Sequence, residues 1–244
     1  MKRLPLRCSA SRWNGSKRAT PNIPSGSAAR SQNWPSAIRA ASLPCGRWTP
    51  GKLLADLPDE EIKDIVDKWR NTNPKIRNLW YSFNDAAIRV IQNGGSLRVR
   101  CCTFARECDC IRGTTCMTIS LPSGRKLYYV EPAVGENRWG GPSITYMGVN
   151  DKNKWGRIET YGGKLVENVV QAIARDCLAQ AIEHLEAAGL PVVFHIHDEV
   201  VIDTAAFDTN DAMLDKVVKI MSTRSVAEGL PLGADAGSEH FQKD

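Results

Sequence analysis

Two adjacent carboxylates, Asp198 and Glu199, lie in the text VVFHIHDEVVID of residues 192–203, between two apolar and largely β-branched runs. Runs of this composition favour strands, so the pattern predicts a hairpin whose tight turn carries both acids at its tip. Both carboxylates are charged at neutral pH and repel each other. A divalent cation such as Mg²⁺ removes that repulsion by binding carboxylate oxygens, as in many sites of phosphoryl transfer. The first hypothesis is therefore a magnesium site at this tip.

Two other interpretations of the same tip stay open. An Asp–Glu pair in a turn is often a hydrated bend without a chemical role. His195 and His197 raise the possibility of zinc, but no third and fourth ligand accompanies them at a familiar spacing. Magnesium is therefore the favoured metal.

A long helix is predicted directly before the hairpin, in the text KLVENVVQAIARDCLAQAIEHLEAAGLP. Its apolar residues recur at helical spacing, and Gly189 followed by Pro191 ends it. The expected apolar stripe consists of Leu165, Val169, Val170, Ile173, Cys177, Leu178, Ile182 and Leu185.

The upstream text predicts two further helices and several strands. One helix starts after Leu57, and a second starts with Asn73 as N-cap and Pro74 in its first position. Residues 96–130 are typical of short strands, whereas Arg138–Asn150, with three glycines and a proline, is predicted to be a loop. A last helix is expected near residues 211–224. Helices and antiparallel hairpins in this order predict an α+β fold.

The charge of the chain divides it into two parts. Residues 1–50 contain nine Lys or Arg and no acid, so 23 basic and 27 acidic residues remain in 51–244, a net charge of −4. The overall charge of +5 thus belongs to one end and does not identify the folded part as a nucleic-acid binder. Residues 1–50 also hold six of the 13 prolines and show no apolar periodicity, so we expect them to be disordered.

The eight cysteines and the apolar content of the sequence indicate a compartment and predict no membrane span. The sequence has neither a secretory leader nor an apolar run long enough to span a membrane, so we expect reduced thiols in a cytoplasm. The cluster CCTFARECDC with Cys116 raises the possibility of a zinc site, but its spacings favour ordinary thiols. Trp69, Trp80 and Phe83, at helical spacing, are expected in a core rather than on a base-stacking surface.

Four segments together resemble one protein family. They are TYGGKLVENVVQAIARD, the HDE triplet at the hairpin tip, LPSGRKLYY upstream, and the tail GLPLGADAGSEHFQKD. In this combination they resemble the end of the polymerase domain of family A DNA polymerases, the DNA polymerase I class, in its phage-type subgroup. The resemblance covers about residues 55–244.

The resemblance implies roles for five residues. Asp198 corresponds to the motif C metal ligand of the palm, and Glu199 to its auxiliary carboxylate. His197 would lie against the terminal nucleotide of the primer. Gln171 would reach the minor groove of the primer–template, and Asn168 is a further candidate for that contact, at a different spacing from the bacterial enzymes.

Asp176 matches an acidic position of the same family. Its alternative role is structural, as an ion pair with a neighbour on the helix such as Arg175. Both interpretations remain open at this point.

The resemblance also identifies what this sequence lacks. Family A catalysis uses a second aspartate, from motif A, and a fingers helix, motif B, that holds the incoming dNTP. Neither appears in this reading frame, so of the two-metal Mg²⁺ site only half is present, and a palm without the motif A strand would have an unpaired edge. We therefore expect a C-terminal fragment.

Residues 1–50 have a specific explanation under this hypothesis. Permitted codons for residues 2–51, translated one base out of frame, encode a text containing KVAELALGYQGG, which resembles motif B. We infer a frameshifted motif B region. The rival interpretation is a mitochondrial transit peptide, which is also rich in Arg and Ser and poor in acids.

These expectations divide the chain into 1–50, a non-native or disordered basic leader; 51–95, a helical remnant of the fingers; and 96–244, the C-terminal part of the palm with the motif C hairpin. The palm-type antiparallel sheet with packed helices would belong to an incomplete polymerase domain. The intact enzyme would be a DNA-directed DNA polymerase that acts on primer–template DNA and dNTPs. The isolated chain is expected to be inactive, and the alternatives are a non-catalytic DNA-binding remnant or a pseudogene product.

Overall fold

The structure, a computed structural model, describes residues 3–9, 59–108, 113–136, 141–150, 152–205, 210–223, 226 and 228–238. For residues 3–9 and Asp59 the description is limited to the backbone.

The described residues form four helices and ten strands. The helices are α1 (Asp59–Thr72), α2 (Pro74–Asn93), α3 (Gly162–Ala187) and α4 (Asp211–Met221). The strands are β1 (Arg3–Ser9), β2 (Ser96–Val99), β3 (Cys102–Cys108), β4 (Thr115–Ser120), β5 (Lys126–Glu136), β6 (Pro142–Val149), β7 (Trp155–Thr160), β8 (Val192–Ile196), β9 (Glu199–Ala205) and β10 (Asp235–Ser238). Within the part that is described, no helix is both long and apolar enough to cross a bilayer.

The chain separates into two compact units. One consists of residues 15–79 and contains α1, where Lys68 pairs with Asp64 one turn earlier at 2.6 Å. The other consists of residues 1–14 and 80–244 and contains both sheets. All strand pairs in these sheets are antiparallel, so the predicted α+β class is confirmed.

Each sheet has a simple strand order. The six-stranded sheet runs β2-β3-β4-β5-β6-β7, so every strand pairs with its neighbour in sequence. The four-stranded sheet runs β10-β1-β9-β8 and brings together segments that are far apart in the chain. The predicted hairpin, β8 and β9, lies in this second sheet.

Strand β1 corrects an expectation for the first fifty residues. Disorder was predicted there, but Arg3–Ser9 pairs with β9 along its whole length, from Arg3 opposite Ala205 to Ser9 opposite Glu199. The same strand pairs with β10 on its other side. Strand β9 therefore has a partner strand on each side, β1 and β8. Residues 10–58 lie outside the described residues.

Strand β6 corrects a second expectation. Arg138–Asn150 was predicted to be a loop, but Pro142–Val149 pairs with both β5 and β7. Its glycine, Gly148, lies directly opposite Gly156 of β7. The loop was predicted from the glycines and the proline, and that prediction overlooked the run Ile144-Thr145-Tyr146, whose β-branched and aromatic residues favour a strand.

The core of the six-stranded sheet packs against α2. Phe83 of α2 meets Phe104 of β3 edge to face, with ring centroids 5.0 Å apart. Met117 and Ile119 of β4 are fully buried beside them. Phe83 is thus a core residue as predicted, whereas Trp69 and Trp80 are half-buried.

Helix α3 follows its predicted pattern with one exception. Leu165, Val169, Leu178 and Leu185 are buried, but Val170 is 59% exposed. The C-terminal half of α3 packs on the four-stranded sheet in a cluster made of Leu178, Ala181, Leu185, Leu190, Val200, Ile202, Val217 and Met221.

The described cysteine side chains, Cys101, Cys102, Cys108, Cys116 and Cys177, form no disulfide. Cys102 is buried, and burial raises its pKa to about 12, which suppresses the thiolate that would bind a metal. In the described ranges, His, Cys, Asp and Glu form no group of three or more that could hold a metal ion. Cys110 lies outside these ranges.

The N-terminus of α3 is fixed by a close approach to α2. Tyr161 provides no side-chain cap, and instead Asn84 Oδ1 of α2 accepts a hydrogen bond from the Gly162 amide at 3.1 Å. A Cβ atom on Gly162 would lie 1.9 Å from the Trp80 carbonyl oxygen. Glycine is therefore required here because the two backbones leave no room for a side chain.

We predict that Gly162→Ala destabilises the chain by at least about 2 kcal/mol, because α3 must move away from α2 to admit the methyl group. The measurement is the midpoint of urea unfolding. Gly156→Ala is the matched control, since its added Cβ would meet its nearest neighbour at an ordinary 3.9 Å. Equal midpoints for the two variants would contradict the close approach.

Candidate functional site

The hairpin that carries the acidic pair is a two-residue reversal. Ile196 of β8 pairs with Glu199 of β9, and His197 and Asp198 form the turn between them. His197 has φ 53°, in the left-handed region that non-glycine residues seldom adopt. The predicted tight reversal is confirmed, and its backbone strain is concentrated on the residue before Asp198.

Strand β9 anchors this turn in the core. Val200 and Ile202 are fully buried, and Thr204 is 8% exposed, while the residues between them are half-buried. A shift of the strand by one residue would place these side chains on the opposite face. The register of β9 therefore determines where Asp198 and Glu199 emerge.

The side chains at the tip are open to solvent. His195, His197 and Asp198 are exposed, and Glu199 is half-buried. Mg²⁺ commonly binds one or two carboxylates and completes its shell with water and substrate phosphates. The acidic pair fits such an open site and does not form a closed cage of protein ligands.

Strand β8 differs from a simple core strand. Val193, Phe194 and Ile196 are each about half exposed or more, and β8 is the end strand of its sheet in the described part of the chain. Its pairing with β9 shifts between Val192 and Phe194, which marks a bulge. The apolar sequence of β8 predicted that it is a strand, but it did not predict that these side chains are exposed to solvent.

Asn168, a predicted DNA contact, is engaged by the six-stranded sheet. Its Nδ2 donates to the hydroxyl oxygen of Tyr129 at 3.0 Å. Tyr129 is buried and meets Tyr146 edge to face at 5.0 Å. Burial raises the pKa of Tyr129 to about 12. One of the two amide hydrogens of Asn168 is therefore used within the protein.

Gln171, three residues further along α3, is exposed. Val170 beside it is also exposed, so this side of the helix faces solvent. Of the two predicted minor-groove contacts, Gln171 is the one whose side chain is open.

Asp176 is bound by the turn between β4 and β5. Ser123 Oγ donates to its Oδ2 at 2.6 Å, and Arg125 Nε donates to its Oδ1 at 2.7 Å. Arg125 Nη2 also donates to the Ala172 carbonyl at 2.9 Å. The ion pair suggested with Arg175 is thus replaced by one with Arg125, a partner 51 residues away that helical spacing could not indicate.

The candidate residues therefore fall into two groups. Asn168, Gln171 and Asp176 are on α3, where Gln171 is exposed, whereas Asn168 and Asp176 bind residues 123–129 of the β4–β5 hairpin. Asp198 and Glu199 lie at the tip of the four-stranded sheet. Helix α3 contributes to both, since its C-terminal half packs on that sheet.

Comparison with known proteins finds a similar phage protein. The chain is 40% identical over 198 residues to a protein described as DNA polymerase from Bacillus phage SP02. The match covers 80% of this chain and 29% of that protein, so the chain spans less than a third of its relative. No family model matches the sequence, and no solved structure matches it.

The buried phenol of Tyr129 predicts a pH dependence. An unperturbed tyrosine ionises near pH 10, whereas Tyr129 in the folded chain does so near 12. Its contribution to stability is therefore complete below pH 10 and is lost as the pH rises towards 12. Tyr129→Phe should flatten the fall in unfolding free energy over this range, measured by urea unfolding at stepped pH. Tyr128→Phe, at an exposed neighbour, is the control and should follow the wild type. An unchanged slope in Tyr129→Phe would refute the assignment.

Proposed function

We propose that this chain is the C-terminal palm part of a family A DNA polymerase and that Asp198 belongs to the site of template-directed nucleotidyl transfer in the intact enzyme. The observation that carries the proposal is the two-residue turn between β8 and β9, which presents Asp198 and Glu199 from a strand anchored in the core. The similarity to the DNA polymerase of Bacillus phage SP02 supports it.

Asp198 and Glu199 are the residues that would hold Mg²⁺. Their openness suits an ion that shares its shell with the phosphates of DNA and nucleotide. When bound, the ion neutralises the charge that develops on the phosphoryl oxygens. In this proposal the chain supplies half of a two-metal site, and motif A of the intact enzyme supplies the other half.

The DNA contacts come from the exposed side of α3 and from the hairpin tip. Gln171 would donate to minor-groove acceptors, which every correct base pair offers. Asn168 would add its remaining donor, and His197 would contact the primer end. Residues 51–244 carry a net charge of −4, so DNA binding through these residues should be weak and strongly salt-dependent.

We further propose that residues 1–50 come from an out-of-frame translation of motif B. The absence of acids and of apolar periodicity in this stretch supports the idea. The nucleotide sequence tests it directly, because the shifted frame must encode KVAELALGYQGG or a close variant. A shifted frame without such text would refute it.

We predict that the purified chain binds primer–template DNA but does not extend the primer with Mg²⁺ and dNTPs, because it carries only half of the metal site. A gel-shift titration and an extension assay on the same substrate are the measurements. Primer extension would refute the inactive-fragment proposal, and lack of binding would refute the DNA contacts.

Gln171→Ala should weaken primer–template binding about fivefold, the loss expected for a hydrogen bond of about 1 kcal/mol. The affinity is measured at low salt by gel shift. Gln92→Ala, at an exposed glutamine of α2, is the control and should bind like the wild type. Equal effects of the two substitutions would remove Gln171 from the interface.

Asp198→Asn should abolish the effect of Mg²⁺ on primer–template affinity. In the wild type the acidic pair repels DNA until Mg²⁺ neutralises it, so affinity should rise several-fold with Mg²⁺ at constant ionic strength. Asp215→Asn, at an exposed acid of α4, should leave this response intact. A response that survives in Asp198→Asn would place the ion elsewhere.

A further inference from the structure

The carboxylate of Asp176 is unusually buried for a charged group. Its side chain is 11% exposed, and both of its oxygens accept short hydrogen bonds, one from Ser123 and one from Arg125. A buried carboxylate requires such partners, because its desolvation is costly without them. The cluster of Ser123, Arg125 and Asp176 is therefore a fixed feature of the α3 surface.

This cluster holds the guanidinium of Arg125 in one orientation. Nε is bound to Asp176, and Nη2 is bound to the Ala172 carbonyl. A guanidinium has five N–H donors, so these two contacts leave three for other partners. The side chain is still 46% exposed, which makes those donors available at the surface.

Arg125 is bound to the turn of α3 that also carries Gln171. The carbonyl that it binds belongs to Ala172, the residue that directly follows Gln171 on α3. Both side chains are accessible from solvent, although they come from parts of the sequence 46 positions apart. The fold thus brings an oriented cation and an exposed amide to the same turn of α3.

We propose that Arg125 binds a backbone phosphate of the primer–template beside the base pair that Gln171 contacts, and that Asp176 is its positioning residue. This inference rests on the proposed function of Gln171. The minor groove is only about 6 Å wide, so a group next to a minor-groove contact faces the phosphates that border it. A planar guanidinium with free donors matches phosphate oxygens, and its fixed orientation lowers the entropy lost on binding.

The alternative is that the cluster is only a structural brace, which fastens the β4–β5 turn to α3 and does not contact DNA. A brace and a phosphate contact differ in their salt dependence. Each phosphate neutralised by a protein cation contributes about 0.9 to the slope of log affinity against log salt concentration. Loss of a brace weakens binding but releases no fewer counterions.

The test is a gel-shift titration of the full chain on primer–template DNA at several salt concentrations. Arg125→Ala should weaken binding and lower the salt slope by about 0.9. Arg157→Ala is the matched control, because Arg157 is also 46% exposed and lies near a carboxylate, Glu131, at 4.0 Å. It should change neither quantity.

Two further variants keep the test decisive if Arg125→Ala folds poorly. Asp176→Asn retains the cation but loosens its orientation, so affinity should fall while the salt slope stays at the wild-type value. Arg125→Lys retains the charge but cannot bind Asp176 and Ala172 in the same planar arrangement, and should behave likewise.

The outcomes separate the two proposals. An unchanged salt slope in Arg125→Ala, with a loss of affinity equal to that of Asp176→Asn, would reduce the cluster to a brace and overturn the inference. If Gln171→Ala weakens binding but Arg125→Ala binds like the wild type, only the inference fails. If the wild type does not bind primer–template at all, the proposed function fails, and the inference fails with it.

Discussion

The alternation of buried and partly exposed side chains along β9 is the constraint on which the candidate site depends. Val200 and Ile202 lose all contact with solvent, and they hold the strand in a single register against α3 and α4. Because strand side chains alternate with a period of two, that register also fixes which face the acidic pair occupies. The turn can then place a strained residue, His197, directly before Asp198 without losing its position.

Helix α3 contacts both sheets and so fixes the position of one relative to the other. Its first turn is held against α2 through Gly162, and its middle is bound by the β4–β5 hairpin through Asn168, Ala172 and Asp176. Its last turns form the core of the four-stranded sheet. A rigid helix held at three places keeps the surface around Gln171 in a constant relation to both sheets.

The local features of this fold could be predicted from the sequence. The hairpin, the long helix and the proline-initiated α2 follow from β-branched runs, apolar periodicity and the fixed φ of Pro74, all of which act over a few residues. The partner of Asp176 could not be predicted, because tertiary packing brings Arg125 to it from 51 positions away. Strand β6 was missed because glycines were counted without weighing the strand residues between them. Strand β1 has almost no periodic signal, and its pairing with β9 and β10 is a purely long-range contact.

The bulge in β8 has a consequence for the behaviour of the chain in concentrated solution. Among the described strands β8 ends its sheet, and it exposes Val193, Phe194 and Ile196, a combination that favours edge-to-edge association between molecules. The register shift between Val192 and Phe194 interrupts the regular spacing of backbone groups that a second molecule would need in order to extend the sheet. The one extra residue in β8 is therefore expected to oppose sheet extension at a strand that exposes apolar side chains.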